Sequence, residues 1–237
     1  MTSTRTGLVA AIALCAVTIT AGLALSRVFA DGSFALPVVL AAVLPHGIGF
    51  IARRRRWRDG TTVLVTLVAI LLFVAWLFAP HTTAYGAPLP GTFRHLADQL
   101  DTGWHIFRTG IAPVAADDGV VLLCVVITAV AATVADGVAF RADATIGALV
   151  PSLLLFVFAS MLGTKDLRTM TTLAYIVSAL VFLMLANQAL LERRRAWATG
   201  RRLGSHAAVI NVGALVGGIA LAAGLIVGPA LPGAHDG

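Results

Sequence analysis

Charge is scarce in this sequence. Only 12% of its 237 residues are Asp, Glu, Lys or Arg, about half the share in a soluble domain, while 59% are hydrophobic. A water-soluble fold could not hide that much apolar surface. Cysteine is scarcer still: Cys15 and Cys124 both fall inside apolar runs, which excludes a disulfide framework in an aqueous loop and makes them small core residues. Also missing are a Walker loop, a nucleophile elbow and any HExxH-type metal motif. The chain holds no recognisable catalytic constellation, and nothing in it calls for a cofactor.

What the sequence has instead is long apolar runs. A bilayer core of about 30 Å is spanned by about 20 apolar residues in a helix, which alone satisfies its own backbone polar groups in lipid. Seven stretches meet that test: 7–30, 34–52, 61–79, 118–140, 145–163, 169–191 and 207–229. The fold expected is therefore all-α, one polytopic transmembrane domain over 1–237 with about seven helices. The first run is longer than the apolar region of about 7 to 15 residues in a signal peptide, so an uncleaved first helix is expected despite the small residues near Ala30.

The net charge of +6 comes from arginines bunched beside the apolar runs. With the N-terminus in the cytoplasm, the inner segments hold Arg5, the RRRRWR cluster of Arg53 to Arg58, Arg141, Arg193 to Arg195, Arg201 and Arg202. That is twelve of the seventeen basic residues, and positive residues are retained inside. The outer side keeps Arg27, Arg94, Arg108, Lys165 and Arg168 with most of the acids. This places the C-terminus outside, in a multi-pass protein of the cell membrane. No basic patch interleaved with aromatics marks a nucleic-acid surface. The lipid bilayer is the expected partner, and oligomeric state is left open.

The long outer connection, 80–117, carries a helical pattern over about 92–109. Phe93, Leu96, Leu100, Trp104 and Phe107 recur on one face, with Arg94, His95, Asp98, Asp101, His105 and Arg108 on the other. The spacing predicts an amphipathic helix lying in the outer interface. His81, His95 and His105 could meet the outer aspartates around a metal, but their spacing matches no ligand motif.

Ionisable groups inside a membrane are costly and mark candidate sites. Asp136 lies in the fourth run with Arg141 close behind it, as a structural ion pair or a functional carboxylate. His46 sits mid-run beside Pro45, Gly47 and Gly49, where a broken helix could expose backbone groups. Asn187 and Gln188 are expected to bond across helices. In the last run, Gly213, Gly217, Gly224 and Gly228 form two small-xxx-small pairs on one face, a close-packing signal.

Taken in order, several strings resemble one family. They are LPGTFRHLADQLDTGWHIFRTGIAPV in the outer loop, VADGVAFRADA ending the fourth run, ERRRAWATGRRLG, and PALPG closing the last run. The sequence is similar over nearly its whole length to the N-terminal membrane domain of TgpA-type transglutaminase-like proteins, particularly actinobacterial ones. Phe140 to Asp143 and Gly147 to Pro151 depart from the family's Arg-Arg-Pro and Gly-Leu-Pro pattern. The resemblance implies an extracytoplasmic papain-like domain with a Cys-His-Asp triad downstream, anchored by this domain; transglutaminase-like activity would belong to it, and no residue here could supply it. Two other readings stand beside this one. One is a small transporter or proton-coupled protein using Asp136 and His46, and the other is a non-catalytic envelope scaffold.

Overall fold

A chain in lipid must close its backbone hydrogen bonds within each segment, and the apolar runs do so as helices. The computed structural model describes residues 2–84, 86–109 and 112–197, so the run 207–229 and its four glycines lie outside the described residues. Seven α-helices follow one another: α1 (Thr2–Leu23), α2 (Ala35–Arg54), α3 (Asp59–Phe78), α4 (Pro90–Thr109), α5 (Asp118–Phe140), α6 (Val150–Leu162) and α7 (Arg168–Trp197). A short hairpin pairs β1 (Thr83–Ala84) with β2 (Ala87–Pro88) before α4.

Five helices are long and apolar enough to cross a membrane: Gly7–Arg27, which adds the 3-10 turn Ala24–Arg27 to α1, then α2, α3, α5, and Arg168–Gln188 of α7. At 1.5 Å per residue, these 20 to 23 residues reach about 30 to 35 Å. The run 145–163 falls short of its expected length: its apolar helix is Gly147–Leu162, a 3-10 turn followed by α6. Pro151 in the first turn of α6 fixes the start, and Gly163 leaves the helix in extended conformation.

The core is built around α1 and α5: α1 packs against α2, α6 and α7, and α5 against α2, α4 and α6. Small residues let their backbones approach: Ala10, Ala21, Ala41, Ala129, Ala132 and Ala135 are all buried. Such contacts drive association in lipid, where tails compete equally for apolar side chains. At Gly22 a Cβ would lie 2.6 Å from Val38 Cγ1, so the α1–α2 contact requires glycine there. Of the spanning segment of α5, 61% is buried, against 17% for α7; among the described residues α5 is central and α7 peripheral. α7 is tied to α1 by Thr20 and Ser178, whose hydroxyls are 2.8 Å apart, and to α6 by Phe156 stacked on Tyr175.

The helix ends define two rims. At one, Val28 and Ala30 exchange backbone hydrogen bonds with Val114, and Thr164 N–H donates to the Arg27 carbonyl at 2.8 Å. The ends of α1 and α6 and the approach to α5 therefore share a level. At the other rim Arg141 pairs with Asp59, and Gly147 packs against Val138. The shorter sixth helix thus begins at the second rim and ends at the first.

α4 lies at the first rim, clamped across the start of α5. Gly103 and the Gly119 backbone are in such close contact that a Cβ on either would collide with the other helix. The expected apolar stripe divides along its length. Leu96 is buried and Leu100 half-buried against the core, whereas Phe93 and Trp104 stay about half exposed, at 48% and 49%. Phe107 stacks on both Trp104 and Phe158 of α6.

Candidate functional site

α2 remains helical through Pro45, so the helix is not broken beside His46, whose ring nitrogens face Thr18 and Asp136 side chains. Continuity has a geometric result: His46, Gly49 and Arg53 stand at i, i+3 and i+7, on one face of α2. That face meets Asp136 of α5. His46 Nδ1 lies 3.4 Å from Asp136 Oδ1, and an Nη1 hydrogen of Arg53 is donated to Asp136 Oδ2. Gly49 supplies the space, because any Cβ there would run into the carboxylate. On the far side of the imidazole, Nε2 is 3.1 Å from the hydroxyl of Thr18 in α1, which also lies 3.2 Å from the Leu14 carbonyl. Thr18, His46 and Asp136 are 0%, 3% and 4% exposed. A polar chain thus links three helices across the packed core.

Its two ends differ. Thr18 and His46 are at depth, while Arg53 lies near the end of α2, with its side chain 23% exposed. The guanidinium carbon sits 4.0 Å from the centroid of the Phe140 ring, a cation–π contact worth more in a desolvated place. Nη2 of Arg53 is enclosed without a partner. A buried carboxylate is tolerable only when paired and hydrogen-bonded, and here both oxygens are engaged.

The chain of contacts accepts two proton inventories. With neutral His46, Nδ1–H donates to Asp136 and the Thr18 hydroxyl donates to Nε2. With His46 protonated, both ring nitrogens donate, and Thr18 turns its hydrogen to the Leu14 carbonyl. The Thr18 rotor is satisfied in either state.

The two intramembrane groups singled out separately, Asp136 and His46, are brought together although 90 residues apart. Arg141 is not the cation of Asp136; it pairs with Asp59, which is 82% exposed. Asp136 and Arg141 are five positions apart, about 140° around a helix, so they cannot share its face. Arg53, Gly49 and Thr18 are the members that sequence reasoning did not connect. The i, i+3, i+7 spacing on α2 was the available signal, hidden because Arg53 also opens an arginine run. Asn187 is exposed and Gln188 half-buried, and neither bonds across helices among the described residues.

At the opposite rim His95, Asp98, Gln99, Thr102, Asp117 and Asp118 line an open cavity of about 520 Å³ between α4 and α5. Its polar groups already serve local structure: Asp117 caps α5 by accepting from Gly119 N–H, and His95 Nε2 is 3.1 Å from Gln99 Nε2. Among the described residues no three His, Cys, Asp or Glu side chains converge as metal ligands.

A family model described as the TgpA N-terminal domain matches residues 16–236, which takes in Thr18, His46, Gly49, Arg53 and Asp136. No curated protein is detectably similar to the chain, and no solved structure is either.

Proposed function

The chain belongs to the TgpA N-terminal domain family, and from that premise we propose that it is the membrane-embedded anchor of a transglutaminase-like cell-envelope protein. In this reading it holds an extracytoplasmic, papain-like domain at the outer face of the plasma membrane. The observation that carries it is the joining of a family match over nearly the whole chain to five helices of membrane-crossing length. The geometry adds that a buried ionic cluster clamps α2 to α5 with both carboxylate oxygens used, an arrangement suited to rigidity.

The arginine-rich rim, with Arg53 to Arg58 and Arg141, faces the cytoplasm. The rim with α4 then faces outward, and the half-exposed Phe93 and Trp104 edge of α4 lies in the outer lipid boundary. The apolar run 207–229, outside the described residues, is expected from the sequence to make a further crossing, which on this reading brings the chain to the outer face where the catalytic domain attaches.

Topology is tested with single cysteines in a background lacking Cys15 and Cys124. A membrane-impermeant maleimide should label Thr102→Cys in intact cells, and Arg56→Cys only after permeabilisation. Alkaline phosphatase fused after Gly237 should be active. The opposite pattern removes the anchor reading, as does a parent reading frame whose downstream domain lacks Cys, His and Asp in triad order.

A second reading is favoured by the two proton inventories of Thr18, His46 and Asp136: a proton-coupled role for the cluster. Flux measured in liposomes should then fall in Asp136→Asn. An unchanged flux rejects it.

A further inference from the structure

One buried cation at the first rim has no counter-charge among the described residues. Arg27 closes the 3-10 turn that extends α1, and only 3% of its surface is open. It stands at the rim, where its carbonyl accepts from Thr164 N–H in the loop that follows α6. The loop from Gly163 is pressed onto it: a Cβ at Gly163 would lie 2.5 Å from Arg27 Cβ. Nε donates to the Thr164 carbonyl at 2.8 Å, which fixes the plane of the guanidinium, and Nη1 is enclosed with no partner.

The surroundings add positive charge instead of neutralising it. Arg168, the first residue of α7, follows Thr164, which bonds to Arg27 through both its carbonyl and its N–H, by one short turn closed by the bond from Arg168 N–H to the Lys165 carbonyl. Lys165 is exposed in the same loop. The carboxylate between them in sequence, Asp166, is exposed and forms no ion pair among the described residues. Leaving a buried guanidinium half-bonded costs several kcal/mol, so the arrangement makes sense when an anion arrives from outside the described fold. A guanidinium with one edge fixed and one nitrogen free matches a phosphate oxygen in direction and charge.

We propose that Arg27 and Arg168 hold one phosphate group at the rim where α1, α6 and α7 meet, supplied by a lipid headgroup or by free phosphate. The site sits at the level where headgroup phosphates lie, whichever side of the membrane that rim faces. It does not depend on the anchor reading.

The test uses the full chain, purified in maltoside micelles and stripped of lipid. Its thermal midpoint is followed as short-chain phosphatidylglycerol or inorganic phosphate is added, against sodium chloride at matched ionic strength. The midpoint should rise with phosphate-bearing probes beyond the chloride control. Half-saturation should move up about tenfold in Arg168→Gln, the loss of one charge-assisted bond. Arg168 is exposed, so this variant should fold. Arg27→Met should lose the response while keeping or raising the midpoint in anion-free buffer, since it removes a buried unpaired charge; a merely structural arginine would lower it. A rise with phosphatidylglycerol alone assigns the headgroup, and a rise with both probes assigns phosphate in general. The proposal is overturned if the wild type responds no more than to chloride, or if both variants respond as the wild type does. It is also overturned if Asp236→Asn lowers the midpoint as much as Arg27→Met with no further loss in the double variant, which would make the chain's own tail the counter-charge.

Discussion

Replacing Asp136 by Asn separates a structural clamp from an incidental contact. The change keeps shape but turns one of the two accepting oxygens into an NH2 donor and leaves the Arg53 guanidinium without its anion. Breaking one side of a fully buried pair costs about 3 to 5 kcal/mol. The Asp136 side chain is 6% exposed and that of Arg53 23%, and Arg53 stands near a helix end from which its head can reach the interface. The expected cost is therefore lower, about 2 kcal/mol. A double-mutant cycle with Arg53→Gln should give a coupling of about 1 to 2 kcal/mol, because the second substitution removes the stranded charge. The companion cycle on Arg141 and Asp59 sets the scale. Asp59 is 82% exposed, so that pair should couple by about 0 to 0.5 kcal/mol and lose even this in high salt. Both cycles are read from reversible unfolding of the purified chain in mixed micelles, by far-ultraviolet circular dichroism. A coupling for Asp136 and Arg53 no larger than that for Asp59 and Arg141 would refute the clamp. So would a larger coupling of Asp136 to Arg141.

Three further outcomes follow from the packing. Gly49→Ala should cost about 1 to 3 kcal/mol, the usual penalty of overpacking, and nearly nothing in an Asp136→Ala background, where the obstructing carboxylate is gone; equal costs in the two backgrounds would contradict the contact. Gly103→Ala should loosen α4 from α5, because the Cβ meets Gly119 backbone that cannot swing aside; hydrogen exchange should then speed up over Pro90–Thr109 while α1 and α2 keep their protection. Asp31 lies in the turn between α1 and α2, and the Ser33 hydroxyl and N–H hold its carboxyl below the usual range. A depressed folded value means stability present above the unfolded pKa of about 3.9 and lost as pH falls through the folded one. The midpoint advantage of wild type over Asp31→Asn should be constant at neutral pH and shrink only below about pH 4. A loss between pH 7 and 5 would contradict this.

Helix positions were legible because lipid imposes a hard length rule and the chain marks its ends with charge. The run expected over 118–140 is α5, Asp118–Phe140, where Asp117 caps the start and Arg141 follows the end. The run 145–163 yielded a shorter helix because hydropathy counts apolar residues without asking which backbone they adopt; Gly147–Leu149 form a 3-10 turn, and α6 begins only at Val150, with Pro151 in its first turn. The stripe on α4 was legible as a pattern, but a stripe does not say which edge meets protein. Gly103 decided that, by admitting the α5 backbone beside Leu96 and Leu100 and leaving Phe93 and Trp104 outside.

The polar cluster was legible one residue at a time and not as a set. Closeness in sequence suggested Arg141 for Asp136, yet on a helix the angle between side chains matters more than their separation along the chain. Seven residues on α2 bring Arg53 under His46, while five on α5 carry Arg141 away from Asp136. A run of arginines at a helix end satisfies the topology rule with any of its members, so the rule cannot tell which one turns inward. The same blindness applies at the other rim. Counting charges makes Arg27 one of five outer exceptions to an inward bias; packing makes it the member whose guanidinium is enclosed and half-bonded. Charge counts over loops fix the orientation of a membrane chain, and only helix faces and buried atoms reveal which of those charges is committed to a partner.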